Sequence, residues 1–529
     1  MPARSPLTGH RYLGLAGSLA LTVGAYRVGA RPGGADRDGL PGLADLPALA
    51  GCGLGLVLLT AAWWQIGRRT ARPNGPPLTG RWMLVTAALW ALPALLAPPL
   101  ASRDIYAYAC QGAAFLHPGD PCPWLASVPP VWRGTPSPYG PTATLVAAAA
   151  AGSASAAGGR IVVAIAVLRL AALAGVLLGV HYGAQLARRF GVPSGRAAWL
   201  GLASPLVLLH VAGGAHHDAL LTGLVLAALA YAVAGRGWPA GVALALAAAV
   251  KVTAVVALPF AALAVAVALR GRIIRAVLTV GGVTALGYLA LAVPTGVGLN
   301  LAPALSRTGD LGQWTSAPTA VGMSAGYLLR AVGLPGAFDP AVATAQAVGL
   351  VVLAALVAAL VWRIWSDRTG WIDRSDRTDA DPARAAVLGA GVAFAGLAML
   401  GPVFYPWYAL TPLALIAVST VDERVRAWCA AAAGVLAFLV LPNGVGLAPR
   451  TRLPGAVLVT AGLLTGALVG QRRRRWFPTP ARRLGGRATP TATTSSASAR
   501  SRPVDPRSVR APAADPGSPT PGNAPPLDR

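Results

Sequence analysis

Two carboxylates and one ammonium stand out by their surroundings. The sequence has eighteen acidic residues. Ten fall in arginine-laced connections or near the C-terminus: Asp367, Asp373, Asp376, Asp379, Asp381, Asp422, Glu423, Asp505, Asp515 and Asp528. The other eight are Asp36, Asp38, Asp45, Asp104, Asp120, Asp218, Asp310 and Asp339. Of these, Asp104 and Asp218 directly abut long apolar runs, where a desolvated carboxylate is costly and tends to be functional or paired. Asp104, after Leu100-Ala101-Ser102-Arg103, suits a general base acting on a hydroxyl, a contribution of roughly 10²–10⁴ in rate. It equally suits a cap for a helix opening at Ile105-Tyr106. Asp218 ends the run Gly213-Gly214-Ala215-His216-His217-Asp218. His216, His217 and Asp218 have the chemistry to hold a sugar or a phosphate, or to cap the helix that follows. Adjacent histidines on one turn are a poor pair of metal ligands, and no Cys/His metal spacing occurs. Neither a metal nor any other cofactor is expected.

Lys251 is the only lysine in 529 residues, set in the apolar run Ala248-Ala249-Val250-Lys251-Val252-Thr253. Arginine serves at the other basic positions. A compact cation facing a lipid phosphate is one reason for a lysine here; a residue marking a helix break is the other. An ammonium in such a place is costly unless it snorkels or meets an anion. Tyr106, Tyr108, Trp124, Trp132, Tyr139, Trp314, Tyr405, Trp407 and Tyr408 gather around the same connections. Aromatic faces suit sugar stacking and equally suit the belt at a membrane–water interface.

The elements that must position these residues are apolar helices. The chain is 55% hydrophobic and 12% charged, about half the charged fraction of soluble domains. Many stretches exceed the roughly 18 uncharged residues that cross a ~30 Å hydrocarbon core as a helix, and the short alternating segments of a β-barrel are absent. Spans are expected near 12–30, 47–66, 83–101, 161–186, 197–213, 218–235, 238–250, 252–269, 275–293, 341–363, 385–403, 407–421, 427–442 and 455–470. The fold expected is an all-α polytopic membrane bundle of about 13–14 spans with a long external first loop. The short pair 238–250 and 252–269 also fits two half-spans.

The net charge of +26 does not point to nucleic acid. Residues after Gln471 hold twelve arginines and three aspartates, and most remaining arginines lie in short loops. Such loops mark the cytoplasmic side. Arg68, Arg69, Arg72 and Arg81, then Arg188, Arg189 and Arg196, then Arg270, Arg272 and Arg275, then Arg472–Arg475 define that side. The loop 102–140 has only Arg103 and Arg133, so it is expected outside; Arg450 and Arg452 run against the trend. Parity requires the Ala-rich segment 141–157 to lie at the outer interface, after the turn at Tyr139-Gly140-Pro141. The organisation expected is a cytoplasmic N-terminus 1–11, a membrane domain 12–470 whose external loop with interfacial helix is 102–160, and a basic cytoplasmic tail 471–529. Segment 366–384 is expected as a cytoplasmic loop. The tail's Pro/Ser/Thr/Ala composition predicts disorder. The first apolar stretch has no small-residue cleavage site and is expected to act as a signal anchor.

No connection is long enough for a nucleotide-sugar-binding domain. Gly51-Cys52-Gly53-Leu54-Gly55 lies inside an apolar span and is not a phosphate loop. Asp36-Arg37-Asp38 has the look of a metal-bridging pair but sits in a short Gly/Pro loop. Cys52 and Cys429 fall in apolar spans, whereas Cys110 and Cys122 share the external loop, where a disulfide is allowed.

The runs Ser102-Arg103-Asp104-Ile105-Tyr106-Ala107-Tyr108-Ala109-Cys110-Gln111-Gly112 and Thr135-Pro136-Ser137-Pro138-Tyr139-Gly140-Pro141 resemble those of the polyprenol-phosphomannose-dependent α-1,6-mannosyltransferases of actinobacterial envelopes. Gly214-Ala215-His216-His217-Asp218-Ala219-Leu220, Val250-Lys251 and Tyr405-Pro406-Trp407-Tyr408 fit as well, and the resemblance covers residues 10–470. It implies a GT-C membrane glycosyltransferase of the plasma membrane, with both termini cytoplasmic and the site outside. It further implies a polyprenyl-phosphate-mannose donor, an α-1,6-mannan acceptor on a lipomannan-type glycolipid, inversion at the anomeric carbon, and Asp104 as base. Arg103, Tyr106, Tyr139, His216, His217, Asp218, Lys251 and Trp407 are then expected to contact substrate. The chain departs from the family pattern at His217, where Asn is expected, and in a longer linker around Cys122-Pro123-Trp124. Competing readings are a GT-C transferase for another lipid-linked sugar such as arabinofuranose, a lipid-linked-sugar flippase, and an inactive scaffold. A flippase predicts internal repeats with matched broken helices, and no second copy of the 102–140 loop is present.

Overall fold

The computed structural model describes residues 6–33, 42–301, 303–304, 306, 311–367 and 381–476. Asp36-Arg37-Asp38, Asp310, most of segment 366–384 and residues 477–529 of the expected tail lie outside the described residues. The described part is helical; its one extended pairing is an isolated bridge between Val440 and Gly446.

The helices are α1 (Thr8–Val28), α2 (Leu46–Thr70), α3 (Gly80–Leu96), α4 (Asp104–Leu116), α5 (Pro141–Ala156) and α6 (Ile161–Arg189). There follow α7 (Ser194–Gly201), α8 (Pro205–Gly213), α9 (Asp218–Val233), α10 (Gly237–Val250), α11 (Val252–Ala268) and α12 (Ile273–Thr295). The last six are α13 (Ala317–Ala331), α14 (Phe338–Ser366), α15 (Pro382–Leu400), α16 (Pro406–Ser419), α17 (Glu423–Leu436) and α18 (Arg452–Trp476). Local chemistry sets many ends. Thr79 accepts a hydrogen bond from the Trp82 N–H at 3.2 Å and starts α3; Pro98-Pro99 stop it short of the expected residue 101. Asp381 accepts from the Ala383 N–H at 3.0 Å, with Pro382 in the first turn of α15, and Asp422 accepts from the Arg424 N–H at 2.7 Å to start α17. These are side-chain caps on helix N-termini.

All fourteen apolar stretches are helical over most or all of their length, and the molecule is a polytopic helical membrane protein. Among the described residues six helices are long and apolar enough to cross a membrane, seven when α7 and α8, bent by 49°, count as one span. Five more are apolar but shorter: α3, α9, α10, α11 and α16. Most of the expected 13–14 spans therefore separate into full-length and short helices, with α1 and α17 in neither group. The reason is geometric: α9 has 16 residues and is about 24 Å long, less than a ~30 Å core, and the short helices α9, α10, α11 and α16 all begin or end at the cavity described below. Segment 141–157 is the helix α5, as expected. The helix α13 lies in a connection where none was expected, and Gln471–Trp476, expected within the tail, continue α18.

Helices α6 and α9 pack by close backbone approach. A methyl on Gly175 would lie 2.5 Å from Ala219 and Leu220 backbone atoms, so only small residues fit this contact. Two ends of the bundle emerge. At one end, Arg196 of α7 donates to the Gly67 carbonyl at 2.8 Å and to Thr70 at 2.9 Å and pairs with Glu423. There too Arg189 pairs with Asp381 at 2.7 Å and Arg384 donates to the Ser419 carbonyl at 2.6 Å. The arginine-rich connections 67–82 and 188–196 thus meet the starts of α15 and α17. The connections that carry Asp104, Asp218, Lys251 and Trp407 meet at the other end.

Candidate active site

That other end encloses a cavity of about 640 Å³. Its polar wall carries Asp104, Tyr108, Trp132, Tyr139, Asp218 and Lys251, and Tyr405, Trp407 and Tyr408 line it as well. Its apolar wall comes from α14 (Ala343, Ala347, Leu350) and α15 (Phe394, Leu397, Ala398).

Asp104 is the first residue of α4 and not its cap. Its N–H donates to Ser102 Oγ at 3.0 Å, while its carboxylate faces the cavity with a side-chain exposure of 15%. Along α4 the lining residues are Asp104, Ala107, Tyr108 and Gln111, the i, i+3, i+4, i+7 stripe of one helix face. Arg103 and Tyr106 are off that stripe. Arg103 donates to the Arg31 and Gly33 carbonyls at 3.0 and 3.2 Å, and the fully buried Tyr106 donates to the Ala30 carbonyl at 2.7 Å. The structure therefore places these two expected substrate contacts outside the cavity lining, where they anchor α4 to the chain that follows α1.

Asp218 likewise opens α9 without capping it. Its Oδ1 accepts from Lys251 Nζ at 3.0 Å, and its Oδ2 is buried without a hydrogen-bond partner. Lys251 does sit at a helix break, extended at φ −153° between α10 and α11. Its ammonium also lies 3.8 Å above the Tyr408 ring and 6.0 Å from that of Tyr139, in cation–π contact. The Tyr139 turn is held there because the Gly140 N–H donates to the Val250 carbonyl at 3.2 Å; a side chain on Gly140 would meet the Ala249 carbonyl oxygen at 2.6 Å.

His216 Nδ1 lies 3.1 Å from the Tyr108 hydroxyl and 3.9 Å from Asp104 Oδ2, and Tyr108 and Tyr139 share a hydrogen bond of 3.1 Å. The His216 ring stacks on Trp407 at 4.0 Å, and Trp407 stacks on Tyr405 at 4.6 Å. His217 packs against Tyr108 at 4.1 Å and Tyr139 at 5.0 Å. His216 and His217 thus stand behind the lining aromatics.

Burial pushes the Asp104 carboxyl up to about 7; a hydrogen bond from Trp132 opposes this, the Asp218 charge adds to it, and Lys251 offsets part. Burial, with the Lys251 charge, brings His217 down to about 3, and burial holds His216 well below its ordinary value. Both imidazoles are neutral near pH 7. With Arg103 turned away, Lys251 is the one cation among the described residues that line the cavity. Among the described residues no group of three or more His, Cys, Asp or Glu side chains is arranged to hold a metal ion.

Tyr108, Trp132, Tyr405 and Tyr408 line the cavity; sequence reasoning could not tell them from interface-belt aromatics and did not include them among the expected substrate contacts. The i+4 spacing of Tyr108 from Asp104 was the available signal. Cys110 and Cys122 form a disulfide, with Cα atoms 5.3 Å apart; it ties α4 to the loop that carries Trp132.

Residues 11–294 match the α-(1→6)-mannopyranosyltransferase N-terminal domain, and residues 318–469 match the MptB C-terminal domain. The chain is 30% identical over 471 residues to α-(1→6)-mannopyranosyltransferase A of Mycobacterium tuberculosis, covering 83% of this chain and 86% of that protein. It is 30% identical over 460 residues to a probable α-(1→6)-mannopyranosyltransferase of Mycolicibacterium smegmatis, covering 76% and 78%. It is 28% identical over 491 residues to α-(1→6)-mannopyranosyltransferase B of Corynebacterium glutamicum, covering 83% and 77%. With the first match spanning more than half of its length, the chain belongs to the α-(1→6)-mannopyranosyltransferase family and is an enzyme of that class, a mannosyltransferase.

Proposed function

We propose that this enzyme is a GT-C-type transferase that moves mannose, with inversion, from polyprenyl-phosphate-mannose to the 6-hydroxyl of an α-1,6-mannan acceptor. In this reading the acceptor belongs to a lipomannan-type glycolipid, and the reaction takes place at the outer face of the plasma membrane. The observation that carries the reading is one cavity with Asp104 on its polar wall, Lys251 as the one cation among its described lining residues, and a largely apolar wall from α14 and α15 that Gln346 interrupts. A phosphate-linked sugar on a prenyl chain has the matching halves.

Asp104 takes the proton of the acceptor hydroxyl. The oxygen forms its bond to the anomeric carbon as the carbon–oxygen bond to phosphate breaks, and polyprenyl phosphate leaves with the electron pair. The leaving group gains negative charge in a site of low polarity, where a fixed cation is worth most. Lys251 supplies that charge, and Asp218 holds the ammonium in place. Tyr405 and Trp407, stacked beside His216, give faces against which a pyranose can lie.

The test is transfer from polyprenyl-phosphate-mannose to a short α-1,6-mannoside, with linkage analysis of the product. Asp104→Asn should accumulate in membranes as the parent does and lose roughly 10²–10⁴-fold in turnover. Near-normal transfer by that variant refutes the base assignment. Movement of the lipid-linked sugar without transfer by the parent enzyme refutes the reading as a whole.

A further inference from the structure

Arg169 is the one charged residue in the apolar run Ile161–Leu178 of α6, and it is buried. A guanidinium at such a place is costly unless it is paired; here both Nη atoms find acceptors while the buried Nε has no hydrogen-bond partner. Its partners are three backbone carbonyls from two separate connections. Nη1 donates to Leu95 O at 2.6 Å, and Nη2 donates to Ala97 O at 2.9 Å and to Gly213 O at 3.3 Å. Leu95 and Ala97 belong to the end of α3, whose last carbonyls have no partner within the helix. Gly213 ends the π-helical turn Leu208–Gly213 of α8. The same Gly213 carbonyl accepts from the Leu100 N–H at 3.4 Å, which stitches the two connections to each other.

Each connection leads directly to a cavity carboxylate. Asp104 follows the first and Asp218 the second. Each also passes through an alanine in the left-handed region, Ala101 at φ 57° and Ala215 at φ 50°, and each alanine stands three residues before its aspartate. Among the described residues only one further non-glycine residue, Arg270, has a positive φ. Backbone strain of this kind persists only where the surroundings enforce it, and the Arg169 clasp, together with the Leu100–Gly213 hydrogen bond, joins both connections.

We propose that Arg169 is a positioning residue for mannosyl transfer, clamping the two connections together so that Asp104 and the Asp218–Lys251 pair are held at a fixed spacing across the cavity. The proposal rests on the reading of Asp104 as the base. Its planar fork reaches carbonyls on two segments at once; a lysine in the same place keeps the charge and loses that span. Misplacement of a reacting group by about 1 Å costs on the order of 100-fold in rate.

The test compares Arg169→Lys and Arg169→Met with the parent enzyme in membranes, using polyprenyl-phosphate-mannose and a short α-1,6-mannoside. The expected result is a kcat lower by about 100-fold, with donor KM unchanged. In the same background Leu100→Cys with Gly213→Cys, oxidised to a disulfide, ties the connections by another route; a side-chain carbon on Gly213 would lie 2.9 Å from Leu100 Cβ, so the two connections must part by roughly 0.6 Å or more to reach disulfide geometry. The same cysteine pair with Arg169 retained is the reference against which recovery is read. Oxidation should recover most of the lost kcat, and reduction should abolish the recovery. An unchanged kcat in Arg169→Lys overturns the proposal. So does a cross-linked Arg169→Met chain that fails to regain transfer, whether it is inactive or does not accumulate. If Asp104→Asn keeps transfer while the cross-link still rescues Arg169→Lys, the base assignment falls and the clamp stands. If Asp104→Asn is inactive and the cross-link rescues nothing, the clamp falls alone.

Discussion

Asp104, Asp218 and Lys251 were legible in the sequence because each is a charge bordering apolar chain, where few explanations compete. Their partners were not. Tyr108, Trp132 and Tyr408 are aromatics near span ends, and an interface belt accounts for such residues equally well. Arg103 and Tyr106 illustrate the opposite error: they are neighbours of Asp104 in sequence, but a helix start sends consecutive side chains in different directions, and both turn away from the cavity. The Trp132 contact has a pH consequence. In the proposed mechanism Asp104 must be ionised to accept a proton, and burial raises its carboxyl to about 7, so transfer should fall as pH drops through that value. Trp132 donates to the carboxylate and favours its charged form. In Trp132→Phe the acid limb of kcat/KM is therefore expected to move to higher pH. A limb that stays in place or moves to lower pH shows that this hydrogen bond does not tune the base.

The expected span boundaries were nearest at the cavity, within two residues at both ends of α9, α10, α11 and α16. They were further off where a proline or a capping side chain sets the end, as at α3, α15 and α17, because an apolar run continues past the residue that stops or starts the helix. The helix α13 escaped notice because serine, threonine and glycine dilute the apolar pattern of Ala317–Ala331. The clasp on α6 was equally hidden, since its acceptors are backbone carbonyls and leave no residue-type signature. The left-handed alanines allow a test at this scale. An alanine in that region costs roughly 1–2 kcal/mol, and glycine does not pay that cost. Ala215→Gly is therefore expected to unfold at a higher temperature than the parent in detergent. An unchanged or lower melting temperature means that the strain is absorbed by neighbouring contacts that the substitution loosens.

The two ends of the bundle differ in their side chains. The basic connections 67–82 and 188–196 meet Glu423 and Asp381 at one, and the connections with Asp104, Asp218, Lys251 and Trp407 meet at the cavity. If the cavity end faces outward, a cysteine at Gly119, in the loop beside the cavity, will react with a membrane-impermeant maleimide in intact cells. One at Gly191, beside the basic end, will react only after permeabilisation; the reverse pattern inverts the topology. The cavity is also divided along the chain. Asp104, Asp218 and Lys251 lie within residues 11–294, whereas Tyr405, Trp407, Tyr408 and the apolar wall of α14 and α15 lie within residues 318–469. On the proposed mechanism, what reacts is thus written in the first region, and much of what would hold the sugar and its lipid is written in the second. Variation confined to the second region can reshape acceptor and carrier preference across a lineage while the proton-transfer chemistry stays the same.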